Sequence, residues 1–298
     1  MKKHAFSKRF DELCYTFESV GFVKIDQYVS QEKISLSNNL IDKWQNNFFE
    51  KHGSTPTKFP FLELDPLFMD LMSDPLIIDF GIRYLGEWFR FDHAIGLQQP
   101  SKSRNPDGSI RESQAINLHG GPSCSQGSCF SYTVNGKMRL GQLNVGIVLT
   151  EQSGKDGGFC YIPGSHQAPN DIEGNAVLQN FLSGNFDHPS IVTPKLFPGD
   201  LVIFTEAIIH GMAPWKASDK IRRNLYFKYS PGFLAWRDYE EIKKYLPLAR
   251  TPIQKMLLRP PYVSQYKEDI AVGTNQFRES LKEENKGTFL NIFKKSTY

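Results

Sequence analysis

The sequence predicts a mainly β fold, a barrel or sandwich with helices packed on it from both ends of the chain. Three observations carry this. The hydrophobic period changes near residue 87 from helical spacing to alternation. Gly and Pro turns then separate a series of short apolar runs. Aromatic residues reach 13%, with 23 Phe, as suits a β-rich core. At 298 residues, 40% hydrophobic and 22% charged, the chain is far from a disordered composition. No internal repeat or linker-like stretch divides it, so it is expected to form a single domain. Within it, 1–86 is a helical N-terminal region, 87–235 the β core and 236–298 a C-terminal extension of helix and loop.

Residues 5–52 look helical. In "SQEKISLSNNLIDKWQNNFFEKHG" the residues Ile34, Leu36, Leu40, Ile41, Trp44, Phe48 and Phe49 recur at helical spacing, with Ser30 as N-cap and Gly53 as stop. The stretch 65–86 reads as two short helices, each opened by Asp-Pro. "EWFRFDHAIGLQQ" alternates and is read as a strand. Residues 100–114 form a polar loop around an Asn-Pro-Asp-Gly turn. Strands are then expected at 128–134, 138–150, 158–162, 190–195, 200–206 and 222–230, and "DYEEIKKYL" is the clearest later helix.

Charge and composition exclude several classes. A formal net charge of +3, without a long basic run, argues against a nucleic-acid polymer as partner. No apolar run is long enough to span a membrane, and the N-terminus lacks the apolar segment of a signal peptide. Cys14, Cys124, Cys129 and Cys160 form no CxxC pair, as expected of reduced thiols in a cytoplasmic protein. Cys124 and Cys129 lack nearby His or Cys partners for a metal. Oligomeric state is not readable.

Of seven histidines, two stand in a suggestive context. His210 closes the apolar run "DLVIFTEAIIHG", and His119 closes "INLHGG". A strand-end His followed by Gly can face a cavity while the backbone turns away. The two sites converge only if the sheet closes on itself, and for either one alone a packed core histidine accounts for the pattern. In "RRNLYFKYSPG", Arg222, Asn224, Tyr226 and Lys228 share one face of a strand and Arg223, Leu225, Phe227 and Tyr229 the other. A polar face headed by Arg222 suits a small dicarboxylate held by a guanidinium. In "RLGQLNVGIVLT", Gln142, Asn144 and Gly146 oppose Leu143, Val145, Ile147 and Leu149, a polar and roomy face for a barrel interior. A sheet with one solvated face explains the same alternation.

Taken together, "LHGG" (118–121), "DGGFCYIPGSH" (156–166), "PGDLVIFTEAIIHG" (198–211) and "RRNLYFKYSPG" resemble the phytanoyl-CoA dioxygenase family of iron(II)/2-oxoglutarate oxygenases over residues 87–235. The resemblance implies a double-stranded β-helix, a jelly-roll or cupin-like barrel with flanking helices. It implies His119 and His210 as iron ligands and Arg222, or its neighbour Arg223, as the group that binds 2-oxoglutarate. Gln142 and Asn144 would line that pocket, and His166 falls outside the ligand set. Iron(II), 2-oxoglutarate and dioxygen are the implied cofactors.

One position departs from the family pattern. The usual ligand set is two His and one carboxylate, and the carboxylate position is here Gly121. Two His and bidentate 2-oxoglutarate fill four of six octahedral places, so chloride or bromide could take an extra one. The pattern is similar to that of the 2-oxoglutarate-dependent halogenases, and implies hydrogen abstraction followed by halide transfer to carbon. Alternatives remain open: a carboxylate from elsewhere (Asp107, Glu112 or Glu206), water in a hydroxylase, or a non-catalytic binding relative. The substrate is expected to be a small molecule. Lys102, Arg104, Arg111, Lys137 and Arg139 suit an anionic one, and Phe130, Tyr132, Trp215, Phe233 and Trp236 are candidates for stacking, although solvated loops and core packing explain the same residues.

Overall fold

The computed structural model describes residues 2–121, 130–168 and 186–261, with side chains from residue 9 onward. Cys124, Cys129 and the expected helix-and-loop region beyond residue 261 lie outside them. Two β-sheets face each other, and helices cover the outer side of the larger one.

The larger sheet has six strands in the order β1 (Phe22–Ile25), β11 (Leu201–Thr205), β9 (Leu143–Val148), β13 (Arg222–Ser230), β3 (Arg90–Gln99) and β2 (Lys58–Phe59). Its pairings are antiparallel. The smaller sheet has the order β10 (Gly158–Tyr161), β12 (His210–Ala213) and β6 (Ile116–His119). Two hairpins stand apart, β4 (Lys102–Arg104) with β5 (Ile110–Glu112), and β7 (Ser131–Val134) with β8 (Lys137–Leu140). This is the double-stranded β-helix, with its interior between the two sheets.

Alternation decides what each face of the large sheet meets. Leu143, Val145 and Ile147 of β9, Leu201 and Ile203 of β11, and Leu225, Phe227 and Tyr229 of β13 join one apolar cluster with residues of the helices. Those helices are α1 (Lys2–Val20), α2 (Gln31–His52), α3 (Pro66–Met72) and α4 (Pro75–Leu85). Val148, Val202, Phe204 and Tyr226 point the other way, against Phe159, Tyr161 and Met212 of the small sheet. Neither face is solvated, so the alternation in "RLGQLNVGIVLT" marks two different interiors.

The capping chemistry acts where the sequence places it. Ser30 accepts from the Lys33 amide at the start of α2, and Gly53 ends the helix in the left-handed region (φ 63°). Asp65 and Asp74 cap α3 and α4, each followed by Pro. Four expectations need correcting. "FVKI" is strand β1 inside the stretch expected to be helical, because it completes the large sheet beside β11. The expected run 138–150 is broken at 141–142 into β8 and β9. The polar loop 100–114 carries the β4–β5 hairpin. Residues 190–195 contribute only an isolated bridge, Val192 to Tyr161, in place of a strand.

After β13 the chain continues into α5 (Tyr239–Lys243) and α6 (Pro252–Leu257). A buried cluster on β3 holds this segment down. Arg90 donates to Asp92 (3.0 Å) and to the Arg259 carbonyl (3.1 Å), and Asp92 accepts from the Trp236 amide (2.8 Å). No helix among the described residues is long and apolar enough to cross a membrane.

Candidate metal centre

Strands β12 and β6 pair so that His210 and His119 are direct cross-strand partners. Their rings lie 4.3 Å apart, centroid to centroid. Closure of the two sheets therefore brings the histidines together. The sequence run that ends at His210 is not one strand, however. β11 stops at Thr205 in the large sheet, residues 206–209 turn, and His210 opens β12 in the small sheet.

Each ring is fixed by its own backbone. The Nδ1 of His119 lies 2.8 Å from the Asn117 carbonyl, and that of His210 lies 2.8 Å from the Ile208 carbonyl. A carbonyl can only accept, so both Nδ1 atoms carry the proton and both Nε2 atoms present lone pairs. Burial, with the nearby His119 acting in the same direction, pushes the His210 imidazole down to about 3. It stays neutral at physiological pH, the form that ligates a metal.

Glu206, in the turn between β11 and β12, joins them. Its carboxylate lies within 4.8 Å of the ligand atoms of both histidines, a three-residue group suited to a metal ion. Oε1 lies 3.9 Å from His210 Nε2. Oε2 accepts from Asn144 Nδ2 (2.7 Å) and Lys228 Nζ (2.9 Å). Burial opposes ionisation, yet the Lys228 ammonium and these two hydrogen bonds hold the carboxyl well below the usual carboxylate range. The other two carboxylates considered do not approach. Asp107 accepts from Ser109 in the hairpin turn, and Glu112 pairs with Lys102 (3.3 Å) on β5.

Arg222 points into the interior and is fully buried. Its Nε donates to Gln152 Oε1 (2.7 Å), Nη2 to the Tyr226 hydroxyl (3.1 Å) and Nη1 to Gln99 Oε1 (3.4 Å). Every oxygen it meets is neutral, and no carboxylate among the described residues pairs with it. A buried guanidinium without an anion is costly, and an incoming carboxylate would neutralise it. Gly158 leaves it room, because a Cβ there would lie 2.9 Å from Arg222 Nε. Arg223 points the opposite way, to Asp42 (2.7 Å) and Gln45 (2.9 Å) on α2.

Other sequence-predicted residues are distributed differently. Asn144 sits on Glu206, beside Lys228, where its strand register with Lys228 places it. Gln142 is buried, with its side-chain nitrogen unpartnered, and its carbonyl accepts from the Glu206 amide. Neither touches Arg222. Trp215 is 1% exposed and donates through Nε1 to the Lys220 carbonyl, so it is a core residue and offers no stacking surface. Arg139 donates to the Arg83 carbonyl on α4, away from the histidines. Arg111 reaches Ser103 across the β4–β5 hairpin, and Arg104 is exposed on it. Phe130 packs on Tyr132. His166 is buried against the Glu18 carbonyl of α1, outside the site.

Gln99 and Gln152, which hold Arg222, and Lys228, which holds Glu206, are neighbours of the candidate site that the sequence did not assign. Gln99 ends the expected strand "EWFRFDHAIGLQQ", but its place opposite Arg222 is set by the β13–β3 register, which alternation does not reveal. Gln152 lies in irregular chain after β9 with no period to follow.

Comparison with known proteins agrees with this architecture. The nickel- and 2-oxoglutarate-bound structure of HygX from Streptomyces hygroscopicus matches with a TM-score of 0.63 and 20% identity, covering 76% of this chain and 89% of that one. The same protein with nickel, 2-oxoglutarate and hygromycin B bound matches with a TM-score of 0.56 and 21% identity, over 76% and 89%. SnoK, a non-haem α-ketoglutarate-dependent carbocyclase from nogalamycin biosynthesis, matches with a TM-score of 0.53 and 15% identity, over 74% and 83%. At these identities the likeness establishes a shared fold. No curated protein matches the sequence. The phytanoyl-CoA dioxygenase family model matches residues 123–224, a stretch that begins just after His119 and contains Glu206, His210 and Arg222.

Proposed function

We propose that this protein is a non-haem iron(II)/2-oxoglutarate-dependent oxidoreductase acting on a C–H bond of a small organic molecule. The observation that carries the reading is the pairing of two Nε2-presenting histidines with a buried arginine that meets no carboxylate, Arg222, whose Nη1 contacts Met212 Sδ (2.9 Å) two residues along β12 from His210. The donor set fits the cofactors. Two imidazoles suit iron, and the guanidinium suits the distal carboxylate of a dicarboxylic acid. The family match, and neighbours bound to 2-oxoglutarate with nickel, support the same assignment. A natural-product-sized substrate agrees with the hygromycin B seen in one of those neighbours.

His119 and His210 would hold the metal through Nε2, with Nδ1 anchored so that neither ring turns. Arg222 would bind the far carboxylate of 2-oxoglutarate. Gln99, Gln152 and Tyr226 hold its guanidinium in place before the ligand arrives, which lowers the ordering cost of binding. Phe159, Phe204 and Met212 keep water from the reacting centre. When bound, iron(II) with 2-oxoglutarate supplies oxidising power from dioxygen, with release of carbon dioxide and succinate. A second reading, chloride or bromide transfer to the substrate carbon, is motivated by the bare Gly121.

The test is an anaerobic titration of metal-free protein with iron(II) and 2-oxoglutarate, following the metal-to-ligand charge-transfer band. The expected result is a band at one equivalent of iron, lost in His210→Ala. In Arg222→Gln, 2-oxoglutarate should bind about tenfold to a hundredfold more weakly, as removal of a charge-assisted hydrogen-bond pair predicts. Absence of any band in the unmodified protein would overturn the reading.

A further inference from the structure

We propose that Glu206 is the third protein ligand of the metal, donating through Oε1 in place of a carboxylate at position 121. It rests on the iron reading above and sets at three the coordination places that the chain would fill.

Three observations support it. First, the two carboxylate oxygens are differently occupied. Oε2 takes both Asn144 and Lys228, whereas Oε1 has no hydrogen-bond partner among the described residues and lies on the side of His210 Nε2. This is the arrangement of a monodentate ligand, with one oxygen anchored by outer donors and the other left for the ion. Second, position 121 is a poor place for a side chain. Gly121 is buried with φ 96°, a backbone conformation that L-residues rarely adopt. Third, the turn bearing Glu206 occupies the adjoining space. A Cβ on Gly120 would lie 2.5 Å from the Ile208 carbonyl oxygen and 2.7 Å from that of Glu206. The two glycines after His119 thus let the 206–208 turn close over the first ligand and bring its carboxylate in from the opposite sheet.

The count of places then changes. His119, His210 and Glu206 fill three and bidentate 2-oxoglutarate two, so one of six remains, for dioxygen. Halide would have no separate place, and the chemistry would be oxygenation. Lys228 follows as a positioning residue, since it orients Glu206 without reaching the histidines.

The experiment is a titration of the metal-free full chain with cobalt(II), followed by its visible absorption. It compares the unmodified protein, Glu206→Gln and Asn144→Ala, with folding checked by circular dichroism. Glu206→Gln keeps an acceptor for Asn144 and Lys228 and so protects the fold. Glu206→Gln should bind cobalt at least a hundredfold more weakly. Asn144→Ala, which loses only an outer hydrogen bond, should lose about tenfold. Wild-type affinity in Glu206→Gln would overturn the assignment, and so would equal losses in the two variants. With iron(II) and 2-oxoglutarate, the charge-transfer band of the unmodified protein should not move on adding chloride, and a chloride-dependent shift would also overturn it. Cobalt binding that depends on Glu206, in a protein with no 2-oxoglutarate band, would instead keep the ligand assignment and remove the cofactor reading.

Discussion

Asp79 and Asp92 are both buried, and their partners give them opposite behaviour. Asp79, on α4, leaves Oδ2 without a hydrogen bond, and burial, with the Asp74 carboxylate nearby, pushes its pKa up to about 7. The folded chain holds this proton more tightly than the unfolded one, so Asp79 costs stability as pH rises from 3.8 to about 7. Asp79→Asn should therefore stabilise the protein by about 1–2 kcal/mol at pH 8 and by less at pH 5, measured by urea unfolding. Asp92 is surrounded by donors instead. Against the opposing effect of burial, the His93 ring, the Trp236 amide and Arg90 hold its carboxyl below the usual range. The residues of the candidate centre were unequally legible at this scale. The His-Gly pattern at 119 and 210 marks strand ends, and the two strands pair there so that the rings meet. Glu206 was readable only as one of three nearby carboxylates, because its approach depends on a turn that crosses between sheets.

Among the elements, the strand expected at 200–206 matches β11, but the sequence reading missed the second strand, β12, that opens at His210 beyond the crossing, for a physical reason. "DLVIFTEAIIHG" is nearly continuous in apolar residues because both sheets bury their inner faces. A run of this kind has no period that reveals where one strand ends and the next begins. β13 was legible end to end, since its two faces differ: Arg222, Asn224 and Lys228 look inward, while Leu225 and Phe227 meet the helices. β10 carries a constraint of the opposite kind, steric and local. Gly158 has φ 95° and lies against Arg222 and Gln152. Gly158→Ala should cost about 2 kcal/mol through backbone strain. It should also weaken 2-oxoglutarate binding while leaving cobalt binding intact, because it displaces the arginine and spares the histidines. Thermal unfolding and the two titrations check both parts.

Across the whole molecule, the helices meet the barrel through an apolar cluster, whereas the C-terminal segment is held to it beside groups that titrate. His93 is buried beside Asp92, and burial, with Lys228 acting alongside, lowers its pKa below 6.5 although Asp92 pulls the other way. The unfolded chain therefore takes up a proton near 6.5 that the fold resists, and stability falls as pH drops below that value. Asp92 acts in the same direction, its contribution being present above 3.8 and lost on further acidification. The melting temperature should thus decline from pH 6.5 downward, and His93→Gln should flatten the upper part of that decline. The general architecture was legible from the change of period near residue 87. The placement of the helices was not, because alternation shows that a strand has two faces without showing what covers them.

The direct pairing of His210 with His119 has a mechanical side as well. β6 is the outer strand of the three-stranded sheet, four residues long, and His119 is its last residue. An ion held jointly by the two rings would act as a rivet through the rim of that sheet, clamping a short border strand to its neighbour. Loading the metal would then oppose local opening of that border strand.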